Sequence, residues 1–365
     1  MFITTSNLVY YLIERGLVSS DSVVDGDWMV IETPRRNRNF KVIRRQHPSF
    51  FLKQIQNWDP QSIATLQGEA KCYWLAQSNP DFAALSPLLP KYYDFDPGRY
   101  ILILELLKEG EDLTEYHRRL NAFPPEVAKK LAKGLGAYHR IAPNHAKEIA
   151  ENPVFPKKVP WILSVDQLNA GSFGAMSRGN SQVVSIVQQY PEFQQHLLAL
   201  RSQWRFDSLI HGDIKWDNCV AEGAAGGKEV EIKIVDWELA DWGDACWDVG
   251  AILQAYLSFW IFSMPATIEM PPAELVKHAQ YPLELMQPAI RAFWESYTET
   301  RQVEGRDATE MLERSVKCGA ARMIQTAYEY MYYSSQISAS TLCLLQVSLN
   351  VLSQPQQAIG DLLGL

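Results

Sequence analysis

Apolar residues recur along the chain with two different periods, and the change from one to the other organises it. Near the N-terminus, Trp28–Glu32, Phe40–Arg44 and Phe50–Ile55 are short runs rich in β-branched and aromatic residues, which predict strands. Tyr100–Leu107 is an almost continuous apolar strand, the pattern of a strand covered on both faces, and it runs into the polar stretch Lys108–Asp112. Two helices interrupt this region. Leu8–Arg15 is apolar at 8, 9, 12 and 13 and stops at Gly16, a C-cap. Gln61–Gln77 carries apolar residues at 63, 66, 70, 73 and 74. Helical spacing then dominates. Glu126–Arg140, Phe193–Trp204 and Leu342–Leu352 predict helices, and Arg306–Tyr333 repeats apolar or small pairs every four residues from 311/312 to 331/332. Gly319 inside that stripe predicts a close approach of another backbone. Asn152–Pro160 and the Gly-rich Ala221–Lys228 read as connections.

Composition narrows the classes. At 47% hydrophobic residues, the 365-residue chain has the content of a globular protein with a sizeable core. A net charge of -8 argues against a nucleic-acid partner, which needs a basic face. The five cysteines (Cys72, Cys219, Cys246, Cys318, Cys343) are scattered without a CxxC pair, so neither a zinc site nor a disulfide framework is expected. A reducing cytoplasm follows as the expected compartment, and no basic segment followed by an apolar one marks a signal peptide. Val249–Met264 is the most membrane-like run, but it is short and contains Gln254, so a buried helix and no membrane partner are expected.

The candidate chemistry lies in two stretches. An apolar run delivers His211-Gly212-Asp213-Ile214-Lys215-Trp216-Asp217-Asn218, and the alternating strand Glu231–Val235 ends at Asp236-Trp237-Glu238. Phosphoryl transfer from ATP needs a carboxylate at the substrate hydroxyl, and an amide and a second carboxylate to hold a divalent ion on the phosphates. Asp213, Asn218 and Asp236 supply those groups; the bland alternative is two loops with turn-forming carboxylates. Further upstream, Lys53 sits inside an apolar strand, where a charge is costly unless paired, and Glu69 lies at the edge of the inward stripe of the following helix.

At these residues the sequence resembles the aminoglycoside phosphotransferase and choline kinase family, the small-molecule branch of the protein-kinase-like fold. His-Gly-Asp stands where protein kinases carry His-Arg-Asp, and Asp-Trp-Glu where they carry Asp-Phe-Gly. The resemblance implies an α+β, bilobal fold, with a small β-rich lobe over residues 1–107 and a large, mainly helical lobe over 108–365. It implies Asp213 as catalytic base, Asn218 and Asp236 as magnesium ligands, Lys53 on the α- and β-phosphates of ATP with Glu69 holding it, and backbone groups around Glu105–Leu107 on the adenine edge. Asp248 would be a structural partner of the catalytic loop and a cap for the next helix. Lys215 departs from the many family members with His there; it is either a γ-phosphate contact or a solvated loop Lys. The hairpin loop Thr33–Asn39 has no Gly. Asn37 stands where many members have Asn, and Arg35, Arg36 and Arg38 either reach phosphate or an acidic substrate, or are simply solvated.

The acceptor is the least legible part. Glu238, Asp241, Asp244 and Asp248 suggest a cationic or polyhydroxylated small molecule, with ordinary surface acidity as the alternative. A Ser/Thr hydroxyl of a peptide, as in lanthionine-type peptide maturation, is the second candidate, and an ATP-binding pseudokinase the third. Arg314, Arg322 and Glu329, flanking the long stripe, read as solvated charges, with a place facing the substrate groove as the alternative, and His139 as a packed or capping residue. Nothing in the pattern sets an oligomeric state.

Overall fold

The computed structural model describes residues 2–33, 36–141, 155–167, 177–223, 229–265 and 272–365. Pro34 and Arg35 of the Gly-free hairpin, residues 152–154 of the Pro-rich loop and residues 224–228 of the Gly-rich connection lie outside them. In chain order the elements are α1 (Leu8–Glu14), α2 (Ser20–Val24), β1 (Met29–Glu32), β2 (Arg38–Ile43), β3 (Phe50–Gln54), α3 (Pro60–Ser78), β4 (Tyr92–Asp96), β5 (Ile101–Glu105), β6 (Glu111–Asp112), α4 (Leu113–Leu120), α5 (Pro125–Tyr138), α6 (Arg178–Gln189), α7 (Pro191–Ser202), β7 (Ser208–Ile210), β8 (Cys219–Glu222), β9 (Glu231–Ile234), β10 (Asp241–Gly243), α8 (Ala245–Phe262), α9 (Pro272–Lys277), α10 (Leu283–Arg301), α11 (Gly305–Tyr330), α12 (Ala339–Ser353) and α13 (Pro355–Ala358). Contacts divide the chain into two compact units, Met1–Leu113 with Asn218–Ala240, and Thr114–Asp217 with Asp241–Leu365.

The first unit is built on an antiparallel sheet of order β1-β2-β3-β5-β4. Alternation along β3 sets its chemistry. Phe50 and Leu52 join Leu8, Tyr11 and Leu12 of α1 in a core with Phe40, Val42, Ile101 and Ile103. Lys53, one residue on, points away from that core and meets Glu69 of α3. Helix α3 begins where Asp59 accepts the Ser62 N–H at 2.9 Å and Pro60 takes the first turn. A second sheet, β6-β8-β9, carries Asn218 and Asp236 at one end: the Asn218 carbonyl accepts Val235 N–H at 2.9 Å, beside the Cys219–Ile234 pair. β4 went unread in the sequence because its acids interrupt the apolar period; it pairs with β5 across a bulge.

The second unit packs helices around α8. Ala245–Ile261 of α8 is buried throughout, so the membrane-like run is a core helix. Helix α11 crosses it at glycine on both sides. A Cβ on Gly250 would lie 2.3 Å from Ser315 O, and one on Gly319 would lie 2.7 Å from Gly250 O. The predicted close approach at Gly319 is therefore to α8, and only hydrogen at both positions permits it. Helix α10 packs on α5, α12 packs on α11, and a short β7-β10 ladder leads into the His211–Asp213 loop.

Candidate active site

In the first unit one ammonium is set among three carboxylates. Lys53 Nζ lies 2.8 Å from Glu69 Oε2, 2.5 Å from Asp236 Oδ1 and 3.6 Å from Glu238 Oε2. Oxygens of the three acids all fall within 4.8 Å of one another. Asp236 adopts a left-handed backbone (φ 65°, ψ 52°), unusual for a residue with a side chain, at the end of β9. That turn presents its carboxylate to Lys53, while Trp237 anchors the turn in the core and donates to Ile234 O at 2.9 Å.

The electrostatics follow from three anions sharing one buried cation. Burial alone would lower the Lys53 pKa, but Glu69, then Asp236 and Glu238, raise it above the usual amine range, so it stays charged. Burial raises the Glu69 carboxyl to about 7, and the Asp236 charge adds to the effect against the pull of Lys53. With Arg36 also paired to Glu238, two cations meet three carboxylates, which leaves a small negative excess for a divalent cation to neutralise. The cluster's donors are all carboxylate oxygens, from Glu69, Asp236 and Glu238, which suits a hard ion such as magnesium, and Asn218 lies at the same end of the second sheet as Asp236.

The remaining residues assigned from sequence in this unit lie on the sheet. Glu105 ends β5, and its N–H donates to Lys91 O at 2.8 Å; Leu106 N–H donates to Ser49 O at 3.0 Å. Half-buried Leu107 follows in irregular backbone. Asn37 is buried at the start of β2. Of the hairpin arginines, Arg36 pairs with Glu238 at 3.0 Å and Arg38 with Glu32 at 3.0 Å.

In the second unit both oxygens of Asp213 are held by cations. Arg322 Nη2 lies 2.9 Å from Oδ1 and Lys215 Nζ 3.1 Å from Oδ2; Lys215 also sits 3.7 Å from Glu329. Burial works against ionisation, but Arg322 and then Lys215 outweigh it and hold the Asp213 carboxyl below its usual range. The loop itself is held from behind. Asp248, fully buried, accepts His211 N–H at 2.6 Å, Gly212 N–H at 3.1 Å and the Tyr138 hydroxyl at 2.8 Å. His139 packs between Asp248 and Tyr297 in the core. Lys215 and Arg322 also line a cavity of about 900 Å³ walled by Trp216, Phe259, Tyr281 and Tyr330.

A family model described as phosphotransferase enzyme family matches residues 27–277. The chain belongs to this family. Solved structures agree on the fold at low identity. The choline kinase from Cryptosporidium parvum Iowa II is 13% identical, with 98% of this chain and 96% of that chain covered, at TM-score 0.54. Aminoglycoside 2'-phosphotransferase-IIIa in its GDP complex is 14% identical, with 94% and 98% covered, at TM-score 0.52. Amicoumacin kinase hAmiN in complex with AMP-PNP, Ca2+ and Ami is 11% identical, with 94% and 96% covered, at TM-score 0.52. No curated protein matches. The phosphotransferase thus has the α+β, protein-kinase-like fold, sheet-rich in its first unit and mainly helical in its second.

Several charges in this phosphotransferase differ from their sequence reading. Arg322, read as solvated, is 2% exposed and bound to Asp213, because the α8–α11 crossing buries that side of α11. Arg314 is paired with Asp244, also largely buried. Asp241 accepts the N–H groups of Lys157 and Lys158, each at 2.7 Å, and Asp244 caps α8 through Cys246 N–H at 3.0 Å. The cap of α8 is therefore Asp244, while Asp248 ties the loop to Tyr138 and His139. These acids are committed to the fold, which removes the reason to read them as a cation trap. Glu238, weighed only as part of that run, belongs to the Lys53 cluster; its signal was its place two residues after Asp236.

Proposed function

We propose that this phosphotransferase moves the γ-phosphoryl of ATP to a hydroxyl of a small molecule. The observation that carries the reading is Lys53 set between Glu69 of α3 and Asp236 at the end of β9, the arrangement that positions ATP phosphates in kinase-like enzymes. In this reading residues 1–107 make the nucleotide lobe and 108–365 the catalytic and substrate lobe, with Asn37 near the phosphates. Since the Glu105 and Leu106 N–H groups are spent within the sheet, Leu107 N–H is the donor to adenine, and Glu105 offers its carbonyl. Asn218 and Asp236 would hold Mg2+, which would neutralise charge on the phosphates.

Asp213 orients the acceptor hydroxyl and takes its proton as the oxygen–phosphorus bond forms, and ADP departs. Its depressed pKa keeps it ionised at neutral pH, so its contribution is orientation and charge more than basicity. Lys215, which sits at Asp213, would contact the γ-phosphate in this reading. The acceptor occupies the 900 Å³ cavity that Lys215 and Arg322 line. In this reading the enzyme works in the cytoplasm, where ATP is at hand and its five free cysteines stay reduced.

The test is transfer from γ-labelled ATP with Mg2+ into a pool of amino alcohols, aminoglycosides and Ser/Thr peptides, with Asp213→Asn in parallel. Label in a small molecule, lost in the variant, supports the proposal. Label in peptide moves the function to peptide modification, and bound nucleotide with no transfer to any pool leaves either an acceptor outside the pool or a pseudokinase.

A further inference from the structure

Arg322 is an expensive residue to keep. It is 2% exposed, its Nε and Nη1 find no hydrogen-bond acceptor among the described residues, and only Nη2 is matched, by Asp213. A buried guanidinium with unmatched donors costs stability where an apolar side chain of similar volume would not. Packing therefore does not explain it. Its contacts all lead to one place. The guanidinium lies 5.5 Å from the ring centroid of Trp247, whose Nε1–H donates to Gly212 O at 3.0 Å. The next residue on α8, Asp248, holds the His211 and Gly212 N–H groups. Three residues before Arg322, Gly319 lets α11 approach α8 to backbone contact. The helix crossing thus delivers one cation to one oxygen of Asp213, across the ring that braces the same loop.

We propose that Arg322 is a positioning residue for phosphoryl transfer: by gripping Asp213 Oδ1 it fixes the carboxylate's orientation and keeps it ionised, with Oδ2 left to Lys215 and the acceptor hydroxyl. The proposal rests on Asp213 being the base. Lys215 and Oδ2 are not equivalent to Arg322 and Oδ1. Lys215 is a third exposed, on a flexible stem shared with Glu329, whereas Arg322 is buried and anchored on Trp247. One cation is free to move in the cycle and the other is fixed. Among the described residues, Arg322, Lys215 and His211 are the leading charged and titratable groups at Asp213, with Glu329 acting through Lys215.

Two readouts test this, one independent of turnover. In protein with 13C-labelled aspartate carboxyls, the signal lost in Asp213→Asn identifies Asp213. In Arg322→Met that signal is expected to titrate at least about one pH unit higher, and Arg322→Lys to restore much of the shift. In the transfer assay, Arg322→Met is expected to lose roughly 100-fold in kcat with little change in KM for ATP, with the acidic limb of the pH profile moved upward and Arg322→Lys intermediate. An unmoved Asp213 titration in a folded Arg322→Met protein overturns the proposal, as does a kcat loss without a moved acidic limb. If Asp213→Asn transfers phosphate as well as wild type, the base assignment has failed instead, and the NMR titration still decides whether Arg322 holds Asp213.

Discussion

Replacing Gly250 by alanine separates two physical effects of opposite sign. Gly250 lies inside helix α8, and intrinsic propensity favours Ala over Gly there by about 1 kcal/mol. The tertiary structure opposes it. The new Cβ would lie 2.3 Å from Ser315 O, 2.5 Å from Gly319 N and 3.1 Å from the Cys318 carbonyl carbon, all backbone atoms of α11. No side chain can swing aside, so relief needs the two helices to part by roughly 1 Å, toward ordinary carbon contact distance. Both helices are buried along this line, and overpacking of that kind costs about 3 kcal/mol, at the upper end of its range. The net expectation is a loss of about 2 kcal/mol. The assay is urea unfolding followed by circular dichroism, with Gly360→Ala as control, since a Cβ there meets nothing within 4 Å. The control should be neutral or slightly stabilising. A midpoint for Gly250→Ala equal to or above wild type, at unchanged slope, would refute the steric argument. Because Arg322 hangs from the same crossing, Gly250→Ala should also lower turnover at temperatures where it remains folded.

Removing the Asp248 carboxylate in Asp248→Ala strands the His211 and Gly212 N–H groups and the Tyr138 hydroxyl, and should cost roughly 3–5 kcal/mol in urea unfolding; a loss below about 1 kcal/mol would show that water replaces it. Lys53→Met leaves three carboxylates without their cation and should lower kcat/KM for ATP by roughly 100-fold or more, measured by ADP release; wild-type kinetics would remove Lys53 from the phosphate site. His117, packed against Trp216 and Phe123, has its pKa lowered to about 4 by burial, against 6.5 unfolded. The unfolded chain binds the proton more tightly, so stability is intact above pH 6.5 and falls as pH drops from 6.5 towards 4, by up to about 3 kcal/mol. The melting temperatures of wild type and His117→Phe should therefore change relative to each other across that window, and parallel curves would falsify the assignment.

Much of the frame was legible because its signals are local. The strand runs around Val30, Val42 and Leu52, the cap at Gly16 and the four-residue stripe of α11 each declare an element from neighbours in sequence. Elements whose period is broken by polar residues were harder. β4 places Asp94 and Asp96 around Phe95, α4 has Glu115, His117, Arg118 and Arg119 among its eight residues, and α6 is rich in Ser and Gln, so few large apolar residues mark them in the sequence. The chemical motifs around Asp213 and Asp236 were legible as residue types at fixed spacing, since a loop must return within a few residues for its groups to share a ligand.

Which charge meets which was a different matter. Arg314, Arg322 and Glu329 have the same sequence standing at the edge of one stripe, yet Arg314 pairs with Asp244, Arg322 reaches Asp213, and Glu329 stays at the cavity rim. Asp241, Asp244 and Asp248 read as one acidic run, but they serve a loop, a helix cap and the backbone of the His211–Asp213 loop in turn. The sequence by itself determined the periods, the cap at Gly16 and the set of candidate groups, because those depend on residues within a turn or two of one another. Only the tertiary structure decided the partners. A side chain's charge partner is set by where helices cross, and that crossing depends on two glycines 69 residues apart in the chain, Gly250 and Gly319.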